Sequence, residues 1–209
     1  FIYDPGMKEI KKLYSQEWVQ QGRRPPGIQF DMVMDMINMA VRDDKLYLDK
    51  QSDGIHISVF DSSGNKLRDI RKPVKMIKVT GVHKEQIIED FKNDPFVKPQ
   101  IRMMGGWNAV KKMFNMKFRE YFPAVQYMYV ENGGIVIGTY KTIGGKTEYL
   151  GMDLHGNNQK RTVIPAHIKT PFMSKLRGVT LHTVADKKFY YLRETDDEDW
   201  ELVIEELKL

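Results

Sequence analysis

The chain contains no cysteine. Disulfide cross-links, thiolate metal sites and a cysteine nucleophile are therefore excluded together. The compartment is not thereby fixed, because uncrosslinked proteins work on both sides of a membrane. Long apolar runs are also missing, and the longest falls far short of the roughly 20 residues a helix needs to cross a bilayer. Serine is scarce and no Gly-x-Ser-x-Gly elbow occurs, which argues against acyl transfer through a serine nucleophile. No His-Glu-x-x-His is present, and no two of His56, His83, His155, His167 and His182 share a metal-ligand spacing on one element. Most of these histidines read as surface or core polar residues.

What is present is a folding composition. The 209 residues, 41% hydrophobic and 29% charged, suit one large or two small globular domains with a real core. Net charge is +5, unevenly spread. Between Arg71 and Arg119 stand twelve Lys/Arg against four Asp/Glu, whereas Glu194 to Leu209 carries eight acidic residues against Lys208 alone. Such segments attract one another or face oppositely charged partners. A mildly basic surface does not by itself point to nucleic acid. The opening "FIYD" at Phe1 reads as the interior of a strand, so the expectation is a portion of a longer chain with an unseen N-terminus.

A degenerate repeat runs through the chain. Tyr3-Asp4-Pro5-Gly6, Phe60-Asp61-Ser62-Ser63-Gly64-Asn65 and Met152-Asp153-Leu154-His155-Gly156-Asn157 each end an extended run with Asp and a Gly-bearing turn. Aspartate bonds the backbone of the turn it opens, and glycine supplies the positive φ. Upstream of the complete examples lie further strand-like runs, Lys45–Asp49 and Ile135–Tyr140, and before those Met36–Val41 and Val125–Val130. A third set reads Val179–Val184, Phe189–Leu192 and Trp200–Ile204. Short strands joined by polar turns predict antiparallel meanders. The unit occurs at about 36–72 and 124–164, without its last strand at 177–209, and as a remnant at 1–13. Equivalent third-strand ends at Asp4, Asp61, Asp153 and Glu206 are 57, 92 and 53 residues apart, so one interval contains an insertion. Four short strands per repeat at this spacing are the mark of β-propeller blades.

The insertion, 74–122, changes period. Ile87, Ile88 and Phe91 share a helical face, and Trp107, Val110, Phe114, Phe118 and Tyr121 follow at steps of 3, 4, 4 and 3, which predicts an amphipathic helix over 107–121. Its other face carries Lys111, Lys112, Lys117 and Arg119. The segment from Gln21 to Gly27 reads as a loop between blades.

One nucleotide-like motif is set aside by its surroundings. Gly145-Lys146-Thr147 looks like the tail of a phosphate-binding loop, but the motif needs glycine at position 140, which is Tyr140, and a following helix where a strand is predicted. It reads as a hairpin turn, and no nucleotide is expected.

The run Tyr121-Phe122-Pro123-Ala124-Val125-Gln126, the Asn132-Gly133-Gly134 turn, and the strand ending Thr139-Tyr140-Lys141 resemble bacterial six-bladed β-propeller proteins of the NHL-like kind. So do Phe189-Tyr190-Tyr191-Leu192 and the closing Trp200-Glu201-Leu202. The resemblance covers most of 31–209 and its motifs are structural, so it implies a fold more than a function. It implies all-β propeller blades with a helical insertion between two of them, and further blades supplied by an upstream segment or another chain. It also implies a periplasmic, envelope-associated or secreted setting. The expected function is a non-catalytic binding or scaffolding module for a protein or cell-envelope partner. If the insertion caps one end of a ring, Arg102, Trp107 and Tyr121 are the expected binding residues. The alternative is a metal-dependent hydrolase or lyase. Lactone-hydrolysing relatives imply a divalent cation held in the central channel by ligands from several blades. No other cofactor is expected.

Overall fold

A computed structural model describes residues 2–3, 9–13, 28–33, 37–50, 54–131, 133–165, 181–195 and 199–208. The described residues are mostly β-strand, arranged as antiparallel meanders with three short helices. The expected loop at 21–27 lies outside them, as do parts of several turns.

The first sheet runs β4 (Met39–Arg42), β5 (Lys45–Asp49), β6 (Ile55–Asp61) and β7 (Lys66–Lys72), each strand beside its sequence neighbour. The second repeats that order with β9 (Tyr127–Glu131), β10 (Gly134–Ile143), β11 (Lys146–Met152) and β12 (Lys160–Pro165). The third has three strands, β13 (His182–Ala185), β14 (Lys188–Glu194) and β15 (Trp200–Glu206). A separate hairpin pairs β1 (Ile2–Tyr3) with β2 (Glu9–Lys11). The expected meanders therefore form, with first strands that begin two to three residues later than their apolar runs.

The Asp-opened turns are the same object in both complete sheets. Asp61 and Asp153 accept backbone hydrogen bonds from Asn65 (2.8 Å) and Asn157 (2.7 Å), and Gly64 and Gly156 hold φ of 77° and 84°. Those donors pull both carboxyls below the ordinary aspartate range. The Gly-Lys-Thr segment is a hairpin turn through Gly144 and Gly145 into β11, as its surroundings predict.

The sheets stack face to face. Alternation along each strand sends one set of side chains to each neighbour. Tyr47, Ile55, Ile57, Val59 and Ile70 of the first sheet meet Met128, Val130, Ile135, Ile137, Leu150 and Met152 of the second in one core. Val136, Tyr149 and Ile164 on the reverse of the second sheet meet Val184, Phe189 and Tyr191 of the third. Ile57, Val59, Ile135 and Ile137 are fully buried, each contributing about 1.5–3 kcal/mol through removal from water. The first strands lie side by side, with β9 between β4 and β13. Among the described residues the three sheets form an open stack.

The insertion holds α1 (Gly81–Asn93), α2 (Val97–Met103) and α3 (Trp107–Met113). Thr80 caps α1 through the His83 amide, and the His83 ring reaches back to the Thr80 backbone. The helix predicted over 107–121 is corrected: it ends at Met113, and Phe114–Lys117 form β8, parallel to β3 (Ile28–Asp31). Phe114 and Met116 fit a two-residue alternation as well as Phe114 and Phe118 fit a helical step. A partner strand more than eighty residues away, joined further by Arg119 to Asp31 at 2.6 Å, settles the choice.

Candidate functional site

The insertion carries the three helices found among the described residues, and its own packing decides what it displays. Val97, Ile101 and Val110 form a small core with Phe91, Met104, Trp107, Phe114 and Met116. Trp107 opens α3 inside that core, with the Phe91 ring 6.2 Å away and the Lys92 ammonium 5.9 Å over its face. Its indole is thus half-buried structure. Arg102 lies exposed in the last turn of α2. Tyr121 is exposed beyond β8, where its backbone bridges Lys78. Arg102 and Trp107 flank the Gly105–Gly106 turn, whereas Tyr121 adjoins a second cluster of Val33, Val79 and Phe122, in which Phe122 stacks on Tyr140 at 4.7 Å. The three expected binding residues do not converge on one spot.

What the helices present instead is charge. From residue 95 to 119 there are six Lys/Arg and no Asp/Glu. Lys98, Arg102, Lys111 and Lys112 are exposed on α2 and α3 and make no ion pair among the described residues. Phe96, Met103 and Met113 are exposed among them. The sequence signal for this was the acid-free run itself.

A cavity of about 520 Å³ opens between the second and third sheets at their turn-bearing ends. Its floor includes Val136, Met152, Val184 and Leu207, and its rim Glu131, Asp153, Lys160, Asp186 and Lys187. Two of these charges belong to local structure: Asp153 holds its turn, and Glu131 accepts the Asp186 amide at 3.4 Å. Deeper between the sheets, the Tyr129 hydroxyl and His182 Nδ1 share a hydrogen bond, while Phe189 stacks on His182 and Tyr127 meets it edge-on at 4.4 Å. Burial raises the phenols of Tyr129 and Tyr149 far above the ordinary tyrosine range. His182 is accordingly a core histidine.

A serine, a histidine and an aspartate also meet on the third and fourth strands of the first sheet, unforeseen in the sequence. Ser58 donates to Asp69 Oδ1 at 2.6 Å, and His56 Nε2 lies 3.5 Å from the same oxygen. Lys66 at 2.8 Å and the Ser58 hydroxyl hold the Asp69 carboxyl well below the usual carboxylate range. The wiring opposes nucleophilic chemistry, because the serine proton is committed to the aspartate and not offered to the imidazole. Among the described residues no group of three or more His, Asp or Glu is placed to hold a metal ion, and no helix is long and apolar enough to cross a membrane.

The chain matches no known protein family, no curated protein and no solved structure.

Proposed function

We propose that the chain is a propeller-type, non-catalytic binding and scaffolding module that engages an acidic protein partner through its helical insertion. The observation that carries this reading is the set of exposed cations on α2 and α3 that make no ion pair among the described residues, interleaved with Phe96, Met103 and Met113. The apolar faces of those helices are already used in their own core, so the exposed side chains are what the helices offer to a partner. Basic residues raise the encounter rate, and exposed aromatic and methionine side chains supply contact area. Four-stranded meanders stacked face to face with neighbouring first strands support the propeller-type reading of the scaffold.

The test is titration with an acidic peptide carrying interspersed Phe and Leu, at low and physiological salt. The expected result is binding that weakens with salt and is lost in the quadruple variant Lys98→Glu, Arg102→Glu, Lys111→Glu, Lys112→Glu. Equal binding by wild type and variant would overturn the assignment to the insertion. Turnover of lactones or esters with stoichiometric divalent metal would overturn the non-catalytic reading.

A further inference from the structure

The cavity between the second and third sheets lies where the neighbouring interface is filled. Cross-strand partners share a face, so register aligns the repeats. Tyr47 pairs with Val59, and Val59 with Arg68, on the face that the first sheet turns to the second. On the face that the second sheet turns to the third, the same positions are Val136, Gly151 and Lys160. On the receiving side, Val130 corresponds to Val184 and Leu154 to Leu207.

The two interfaces use these positions differently. Between the first and second sheets Tyr47 and Val59 are fully buried, and Arg68 crosses the gap to donate to the Leu154 carbonyl at 2.9 Å. Between the second and third sheets a valine stands for the tyrosine and a glycine for the valine. Lys160, in the place of Arg68, makes no ion pair among the described residues. Val136, Gly151 and Lys160 line the cavity instead, facing Val184 and Leu207. Protein interiors pack closely, and the first interface shows that this repeat can do so at the same place. The volume of about 520 Å³ falls within the roughly 300–1,000 Å³ of small-molecule sites.

The lining is amphipathic. Val136, Met152, Val184 and Leu207 are buried and apolar. At the mouth Lys160 and Lys187 are exposed and make no ion pair among the described residues. Two of the three carboxylates there are already hydrogen-bonded: Glu131 accepts the Asp186 amide, and Asp153 accepts the His155 and Asn157 amides. Two ammonium groups therefore stand against the Asp186 carboxylate. The wall is fixed by the Leu207 amide, which donates to the Lys187 carbonyl at 2.8 Å.

We propose that this cavity binds a small amphipathic carboxylate, with its apolar chain over Val136 and Gly151 and its head group against Lys160 and Lys187. Burial of the chain supplies affinity, and the charge-assisted hydrogen bonds of the ammonium groups orient the molecule. The site is separate from the cationic face of the insertion and does not depend on what that face engages.

The experiment titrates decanoate into the 209-residue chain by calorimetry, with decylamine and decan-1-ol as head-group controls. Saturable binding of decanoate is expected, about tenfold tighter than decan-1-ol, with no binding of decylamine. Gly151 has no positive φ in β11, so Gly151→Val can place there the side chain that the first sheet carries at Val59, and should abolish binding. The double variant Lys160→Gln, Lys187→Gln should weaken decanoate about tenfold and leave decan-1-ol unchanged. Circular dichroism checks that each variant keeps its strand signal. If Gly151→Val loses it, the lysine variant decides alone, because both its side chains are exposed. A wild type that does not bind decanoate would overturn the proposal. Binding that persists in folded Gly151→Val, or that ignores the lysine substitutions, would overturn it too. The quadruple insertion variant should bind decanoate like wild type; loss there would place the carboxylate on the insertion and sink the cavity assignment without touching the partner assignment.

Discussion

Gly156 of the second sheet's Asp-opened turn sits directly on Ile70 of the first sheet: a Cβ at that glycine would lie 2.4 Å from Ile70 Cγ2. The same turn is held from the first sheet by Arg68, which donates to the Leu154 carbonyl at 2.9 Å. A local turn signal therefore doubles as a joint between sheets.

Gly156→Ala should lower stability by about 2–3 kcal/mol, combining a left-handed backbone with a steric clash. Gly145→Ala, at a similar φ of 74° but in open space, isolates the backbone part and should cost about 1 kcal/mol. Thermal unfolding of the pair checks the difference, and equal losses would show that the contact with Ile70 does not matter.

Ser58 is fully buried and donates to Asp69. Ser58→Ala should destabilise by about 1–3 kcal/mol, because it strips a hydrogen bond from a carboxylate within the fold. The acid limb is the sharper assay. The Asp69 pKa is depressed on folding, so its contribution is present above the unfolded value of about 4 and is lost as pH falls below it. Unfolding free energy of wild type should drop more steeply below about pH 4 than that of Asp69→Asn.

The tyrosines give the opposite sign. Burial, with the neighbouring phenols adding to it, raises Tyr129 and Tyr149 on folding. Stability linked to them is present below the unfolded tyrosine pKa of about 10 and is lost as pH rises through and beyond it. Spectrophotometric titration should show two of the ten tyrosines ionising only with unfolding, and Tyr149→Phe should flatten the alkaline loss.

Trp107→Ala should destabilise the insertion by about 2 kcal/mol, less than the roughly 3–5 of a fully buried aromatic. Peptide binding by the surviving folded fraction should be retained, whereas Arg102→Glu weakens binding without shifting the melting temperature. An unchanged melt for Trp107→Ala would return that indole to the binding surface.

Much of the fold was legible because it is local. Asp-x-x-Gly-Asn turns carry their own hydrogen bonds, period-two strands follow within reach of those turns, and α1 has its cap at Thr80 and its apolar stripe in one stretch. The helix predicted over 107–121 failed where periodicities of two and 3.6 coincide on Phe114 and the deciding contact, with 28–31, is remote. Of the expected binding residues, Trp107 and Arg102 are neighbours in sequence but not in role. Aromatic character marks Trp107 for a core as readily as for a surface, and only packing distinguishes the two. The Ser58–Asp69 bond was invisible because it depends on the register between β6 and β7.

The sequence alone determined the turns, the strand alternation, the repeat spacing and the acid-free run of the insertion, since each is set by side chains within a few residues of one another. Tertiary structure decided which face of each sheet is covered, which cations make no ion pair among the described residues, and that Met39, Val41, Leu202 and Ile204 lie open while Val130, Val59 and Ile57 are buried. Alternation says only that a strand has two faces. What lies against each face depends on segments far away in the chain, and burial is a property of that pairing.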